Sequence, residues 1–349
     1  MYFSSSSRRF FKQMWLMQKL IFKDLHRDFL QLLLRFVKIL YSCHILVLHL
    51  PLLPIIFSVN HFLEISVTSS QPMLTVATSF VTMIGLFFIS DLVPVTDVAI
   101  PIQTIFDSTT ETFTPIYDPS INHPYILDKD ASCPAWLLAV ISLAFPMLTL
   151  ALSKFFVCAT TSSSSDEEDV EALISPPSPR EASISQAYAA FFIGVGITES
   201  ITQCVKSFVG RLRPNFYAIC KYEFDEITGL GSCTASDIEI REGRSSFPSG
   251  HSSFSMFSSL FVVLFLLQRV DERRGFFKGK GGAKMPYLRL VCASPLAVAV
   301  WVGASRVHDW WHFPSDVVTG SALGAAAAYG AFKFFYLDVI KDNEYAQNI

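Results

Sequence analysis

Three short polar stretches of this 349-residue chain carry residue types that do chemistry. Residues 206–214 read KSFVGRLRP, with Lys206 and Arg213 seven positions apart. Residues 248–251 read PSGH and end on His251. Residues 305–316 read SRVHDWWHFPSD, with Arg306, then His312 six positions on, then Asp316 four beyond. A guanidinium meets a phosphate with two parallel hydrogen bonds, so Arg213 and Arg306 suit a phosphoryl group. Lys206 taken alone reads more readily as a cation snorkelling at a membrane boundary. Arg211 is either a helper or a surface charge. Ser249 and Gly250 open an apolar run just before His251. A helix start offers unpaired N–H groups and a positive dipole end, and Gly250 lets the backbone approach an anion closely. In isolation the same residues equally describe a capping serine beside an incidental histidine. Residues four apart share a helix face, so Asp316 can reach one nitrogen of His312, fix its tautomer and leave the other nitrogen to attack. A lone pair of that kind is more often structural.

Taken together, these stretches supply the cations Lys206, Arg213 and Arg306, the imidazoles of His251 and His312, the carboxylate of Asp316 and a helix start. Several cations around one spot call for a multiply charged anion. Phosphoryl transfer uses those parts: charge stabilisation on the equatorial oxygens, an attacking group and a protonated leaving group. His308 and Asp309 are adjacent, the wrong spacing for a shared face, and read as surface or supporting residues. Glu199 stands in an apolar segment seven positions before Lys206, on the same face. An ionisable group there is a functional candidate, as a partner for Lys206 or a residue lining the mouth of the site.

The elements that must position these residues lie in a membrane. The chain is 51% hydrophobic and 16% charged, and its mean hydropathy is +0.41. Soluble domains carry about 25% charged residues. A net charge of −3 gives no hint of nucleic acid. A helical span needs about 20 mostly apolar residues. Six segments fit: residues 72–92, 135–157, 185–205, 251–267, 288–304 and 314–336. The last is rich in Gly, Ala and Ser, which permits close helix approach in lipid. The short loop 268–287 is the most basic and reads as cytoplasmic, as does the basic N-terminal region. The acidic loop 93–134 suits the other side. Both termini then fall in the cytoplasm, and all three polar stretches fall together on the far side. The expected fold is an all-α, six-span transmembrane helical bundle with its active site at the non-cytoplasmic face.

Residues 1–71 form an N-terminal extension. Its apolar run over 29–57 is interrupted by Arg35, Lys38, His44 and His49 and reads as an interfacial or re-entrant segment, with an extra hydrophobic span or a targeting segment as the alternatives. The membrane domain covers 72–337 and the tail 338–349. Within it, residues 158–184 hold serines, a run of acids and prolines, and read as a disordered cytoplasmic loop. Cys220 and Cys233 share one hydrophilic loop and either pair in an oxidising compartment or stay free.

A Lys, six residues and Arg-Pro, then PSGH, then Ser-Arg, five residues, His, three residues and Asp: this ordered set resembles the type 2 phosphatidic acid phosphatase superfamily, especially its lipid phosphate phosphatases. The likeness runs over about residues 74–336 and includes the phrase INHPYI at 121–126. It implies a two-step hydrolysis that needs no metal or other cofactor. His312 would be the nucleophile that becomes phosphohistidine, Asp316 its orienter, and His251 the acid to the leaving alcohol and then the base to water. Lys206, Arg213, Arg306, Ser249 and the Gly250 N–H would hold the phosphate. Relatives often carry His or another polar residue after the nucleophile, whereas this chain has Phe313. Phosphatidate, lysophosphatidate, sphingosine 1-phosphate and diacylglycerol pyrophosphate are the substrates this likeness implies, delivered by the surrounding membrane lipid. A phosphotransferase, a phosphatase for a soluble ester, a non-catalytic scaffold and a transporter are the alternatives. The intact catalytic set argues against the last two. The membrane itself, whether endomembrane or plasma membrane, is left open.

Overall fold

The computed structural model describes residues 72–91, 93–158, 179–274 and 285–340. The chain divides into two compact units, residues 1–57 and 58–349, and every described residue belongs to the second. The N-terminal extension, residues 159–178 of the serine–acid loop, the middle of the basic loop and the tail past 340 lie outside the described residues.

The molecule is mainly helical. In chain order it contains α1 (Pro72–Asp91), β1 (Ile102–Asp107), β2 (Thr112–Tyr117) and α2 (Ala135–Ala139). A π turn at Val140–Ala144 then leads into α3 (Phe145–Cys158). Next come α4 (Pro179–Val209), α5 (Phe216–Cys220), β3 (Tyr222–Phe224), β4 (Gly231–Cys233) and α6 (Asp237–Gly243). The chain continues with α7 (Gly250–Arg274), α8 (Met285–Ala293), α9 (Pro295–His308) and α10 (Pro314–Gly330), which runs into a π turn at Ala331–Leu337. Among the described residues, five stretches are long and apolar enough to cross a membrane: Ala135–Ser153, Ile184–Val209, Gly250–Val270, Tyr287–His308 and Pro314–Ile340.

The remaining expected segment forms α1, whose apolar described part, Leu74–Leu86, is shorter. Polar residues Thr75, Thr78, Ser79 and Thr82 are buried on this helix. Ser79 Oγ donates to the Thr75 carbonyl at 2.7 Å and Thr82 Oγ1 to the Thr78 carbonyl at 2.8 Å. Hydroxyls that bond four residues back need no outside partner. α1 can therefore pack this face in the bundle, where it lies against α4. α4 itself starts at Pro179, inside the stretch expected to be a disordered loop.

The expectation of an all-helical chain needs one correction. The loops outside the spans hold two antiparallel hairpins, β1–β2 and β3–β4. β1 and β2 are rich in β-branched and aromatic residues, and pair Ile105 with Thr114 and Phe106 with Phe113. These strands are too short to stand out beside the helical runs. The second hairpin is stapled to α5 by a disulfide between Cys220 and Cys233, the pairing left open by spacing alone.

α7 is the central helix and packs against α10, α9 and α4. Away from the polar end, aromatic rings fill the centre: Phe191 and Phe257 lie 5.7 Å apart, and Phe261 and Phe332 5.9 Å. Nearer that end, main chain meets main chain. A Cβ on Gly324 would fall 2.1 Å from the Ser253 carbonyl oxygen, and one on Gly320 2.4 Å from that of Ser249. The small residues of the last span thus bring α10 against α7. Gly320→Ala should force the two helices apart and destabilise the fold by about 1–3 kcal/mol, the usual range for overpacking. Thermal unfolding in detergent, with Val318→Ala at an exposed position of the same helix as control, measures this.

Candidate active site

α10 begins at the site. Phe313 is its extended N-cap (φ −74°, ψ 156°), Pro314 occupies the first turn and Asp316 the third helical position. Asp316 Oδ2 accepts the Phe313 N–H at 3.0 Å, the reciprocal half of a capping box. The same carboxylate accepts Ser246 Oγ–H and Arg211 Nη1–H, both at 2.6 Å. Arg211, left open between helper and surface charge, therefore grips a fully buried carboxylate and also lies 4.2 Å over the Phe313 ring.

His312 is buried beside this cap. Its Nδ1 stands 2.7 Å from the Ser246 carbonyl oxygen and 3.8 Å from Asp316 Oδ2. A carbonyl only accepts, so Nδ1 carries the proton and Nε2 keeps its lone pair. The carboxylate expected to bond the ring acts on it by charge at that distance, because its oxygens are taken by Arg211, Ser246 and Phe313. Burial pushes the His312 imidazole down to about 3, against the pull of Asp316 and with the push of Arg213 and Lys206. It is a neutral imidazole at physiological pH.

The chain returns His312 to this place by a tight reversal after α9. The Arg306 carbonyl accepts the N–H groups of Trp311 at 3.0 Å and His312 at 3.2 Å. Trp310 takes φ 60°, a conformation bulky residues seldom adopt. Its ring stacks on His123 with centroids 3.8 Å apart, and the His123 N–H donates to the Pro214 carbonyl at 3.0 Å. The 121–126 loop thereby joins the first polar stretch to the third.

The other residues converge on the same place. Ser249, fully buried at the head of α7, donates its N–H to the Asp316 carbonyl at 3.0 Å. A Cβ on Gly250 would sit 3.2 Å from Lys206 Nζ, so the end of α4 reaches the start of α7. His251 feels the charges of Arg306, Lys206 and Arg213 and the neighbouring His312. Its Nε2 is buried with no hydrogen-bond partner among the described residues. A buried, unpartnered ring nitrogen marks a place for a substrate oxygen. Arg213 is also buried; its Nε donates to the Glu242 carbonyl at 2.8 Å and its guanidinium lies 4.6 Å over the Trp311 ring. Burial lowers Arg213 to about 10, so it stays cationic at neutral pH. Arg306 is 1% exposed. Glu199 is buried on α4.

All eight expected residues thus come to one end of the bundle, where α4, α7, α9 and α10 begin or end. The arrangement offers one unprotonated imidazole nitrogen, a second imidazole and three cations. Sequence reasoning passed over Ser246, whose carbonyl sets the His312 tautomer, because a backbone acceptor has no residue-type signature.

A sequence profile of the PAP2 superfamily matches residues 187–339, which contain all three polar stretches. Phospholipid phosphatase 1 of Mus musculus is 33% identical over 221 residues, covering 60% of this chain and 70% of that protein. The chain belongs to the PAP2 superfamily. Lipid phosphate phosphatase 1 of Arabidopsis thaliana is 36% identical over 144 residues, or 40% of the PAP2 chain and 42% of the plant protein. Phospholipid phosphatase 2 of Mus musculus is 32% identical over 156 residues, 42% of this chain and 52% of its own length. No solved structure matches. With this membership and its apolar helices, the PAP2 chain is a membrane enzyme of the phosphoric monoester hydrolase class.

Proposed function

We propose that this PAP2 enzyme hydrolyses lipid phosphates such as phosphatidate through a phosphohistidine on His312, without a metal ion. The observation that carries the reading is the His312 ring, with Nδ1–H on the Ser246 carbonyl and Nε2 left unprotonated near the charges of Arg213 and Lys206. Nε2 attacks phosphorus, the bond from phosphorus to the ester oxygen breaks, and His251 gives that oxygen a proton as the alcohol leaves. His251 then takes a proton from water as the water oxygen attacks phosphorus. The phosphorus–nitrogen bond breaks, and phosphate departs with both imidazoles restored. Lys206, Arg213 and Arg306, with Ser249 and the Gly250 N–H, hold the three phosphoryl oxygens and gain most when charge builds in the transition state. Asp316 offsets the positive charge that His312 acquires.

A site at the end of apolar helices and relatives named for phospholipid and lipid phosphate support a lipid substrate. The full arrangement is six spans, with α1 as the first and the site at the non-cytoplasmic face. The basic loop 268–287 on the opposite side and the Cys220–Cys233 disulfide near the site support that orientation.

Phosphate release from phosphatidate in detergent micelles, measured with and without EDTA, tests the reading. We expect release in both conditions at the same rate. Strong inhibition by EDTA contradicts the metal-free mechanism. Release from a soluble sugar phosphate but not from phosphatidate contradicts the lipid substrate.

A further inference from the structure

The Asp309 carboxylate is 2% exposed and has no part in the reaction above. It accepts four hydrogen bonds: from Ser132 N at 2.7 Å, Ser132 Oγ at 2.8 Å, His308 Nδ1 at 2.9 Å and Arg306 Nη2 at 3.1 Å. Burial works against its charged form, but the bonds from His308 and Ser132 and the charge of Arg306 hold its carboxyl below the usual carboxylate range. Two oxygens accept about four hydrogen bonds at most, so Asp309 is saturated and fixed.

Arg306 is the most buried cation of the site; its charge opposes that of Arg213, and His251 feels both of them together with Lys206. A buried guanidinium without a counter-charge would turn away or destabilise the fold. Asp309 is three residues on along the same helix end and takes one edge of the fork. Ser132 belongs to the segment just ahead of α2, so the position of Arg306 is tied to a part of the chain far away in sequence.

We propose that Asp309, fastened by Ser132, is a positioning residue that aims the Arg306 guanidinium at the phosphoryl group and so sets the affinity of the site for phosphate oxygens. The proposal rests on the reading that Arg306 holds phosphate. Asp309 touches no reacting atom and acts through Arg306 alone.

The test uses the full chain in detergent and inhibition by orthovanadate, an inorganic phosphate mimic, alongside KM, kcat and thermal unfolding. Asp309→Asn keeps the shape and loses the charge. Ser132→Ala is the milder variant and serves if the first fails to fold. We expect Asp309→Asn to weaken vanadate inhibition by about tenfold or more, the size of one charge-assisted hydrogen bond. Ser132→Ala should act severalfold in the same direction. KM should rise with vanadate, and in an Arg306→Lys background Asp309→Asn should add less than about twofold, because coupled residues are not additive. Variants that unfold at lower temperature yet bind vanadate as the parent does overturn the proposal and leave Asp309 a structural residue. Full additivity with Arg306→Lys also overturns it. Unchanged vanadate inhibition in Arg306→Lys alone overturns the phosphate-binding role of Arg306, and the proposal with it.

Discussion

His312→Ala should abolish phosphate release, by about four orders of magnitude or more, because the proposed covalent route has no substitute for its nucleophile. The side chain is held by one backbone carbonyl through Nδ1, and the helix cap beside it is made by Asp316 rather than by the ring. Loss of the ring therefore leaves α10 capped, and the variant should unfold near the parental temperature. The measurement is a rate assay on phosphatidate beside alkali-quenched labelling with a phosphorus-labelled substrate. The parent should trap label in an acid-labile, base-stable bond, and the variant should trap none. Activity within tenfold of the parent would remove His312 from the nucleophile's role. The ring is neutral down to about pH 3, so the acid limb of the parent's pH–rate profile should not report on it in the ordinary range. A limb near 6 belongs to another group or to the substrate.

His251→Ala should lower turnover of phosphatidate by about two to four orders of magnitude, the contribution general acid–base catalysis makes. The alcohol of a glycerolipid is a poor leaving group and needs the proton. An aryl phosphate with an activated phenol does not, so with that ester the first step survives in the variant. The second step still lacks a base for water. The expected result is a burst of about one phenol per enzyme followed by a slow steady rate, with phosphohistidine accumulating. Loss of both the burst and the steady rate would show that His251 serves binding rather than proton transfer.

Apolar segments long enough to span could be read without a structure because lipid leaves the backbone few options. The three polar stretches were legible because side chains do their chemistry, and their spacing places each at a helix end. Other contacts had no such signal. The Ser246 carbonyl belongs to a residue that any hydrogen-bonding serine resembles. Asp309 and His308 were read as surface or supporting residues without a choice between the two; His308 is exposed, whereas the carboxylate turns inward to Arg306 and Ser132. That direction depends on the reversal at Trp310, which spacing does not encode. Arg211 and Asp316 stand 105 positions apart, and nothing local relates them. The hairpins were hidden for a simpler reason: strands of three to six residues barely register beside a helix of 31.

Asp316 uses one carboxylate for two tasks. Oδ2 closes the first turn of α10, and the same atom lies within charge range of His312 and bonds the residue whose carbonyl holds that ring. The folding of that turn and the arming of the histidine are therefore a single event. Fraying of that turn on heating and loss of catalysis should share one midpoint, well ahead of melting of the aromatic centre of the bundle.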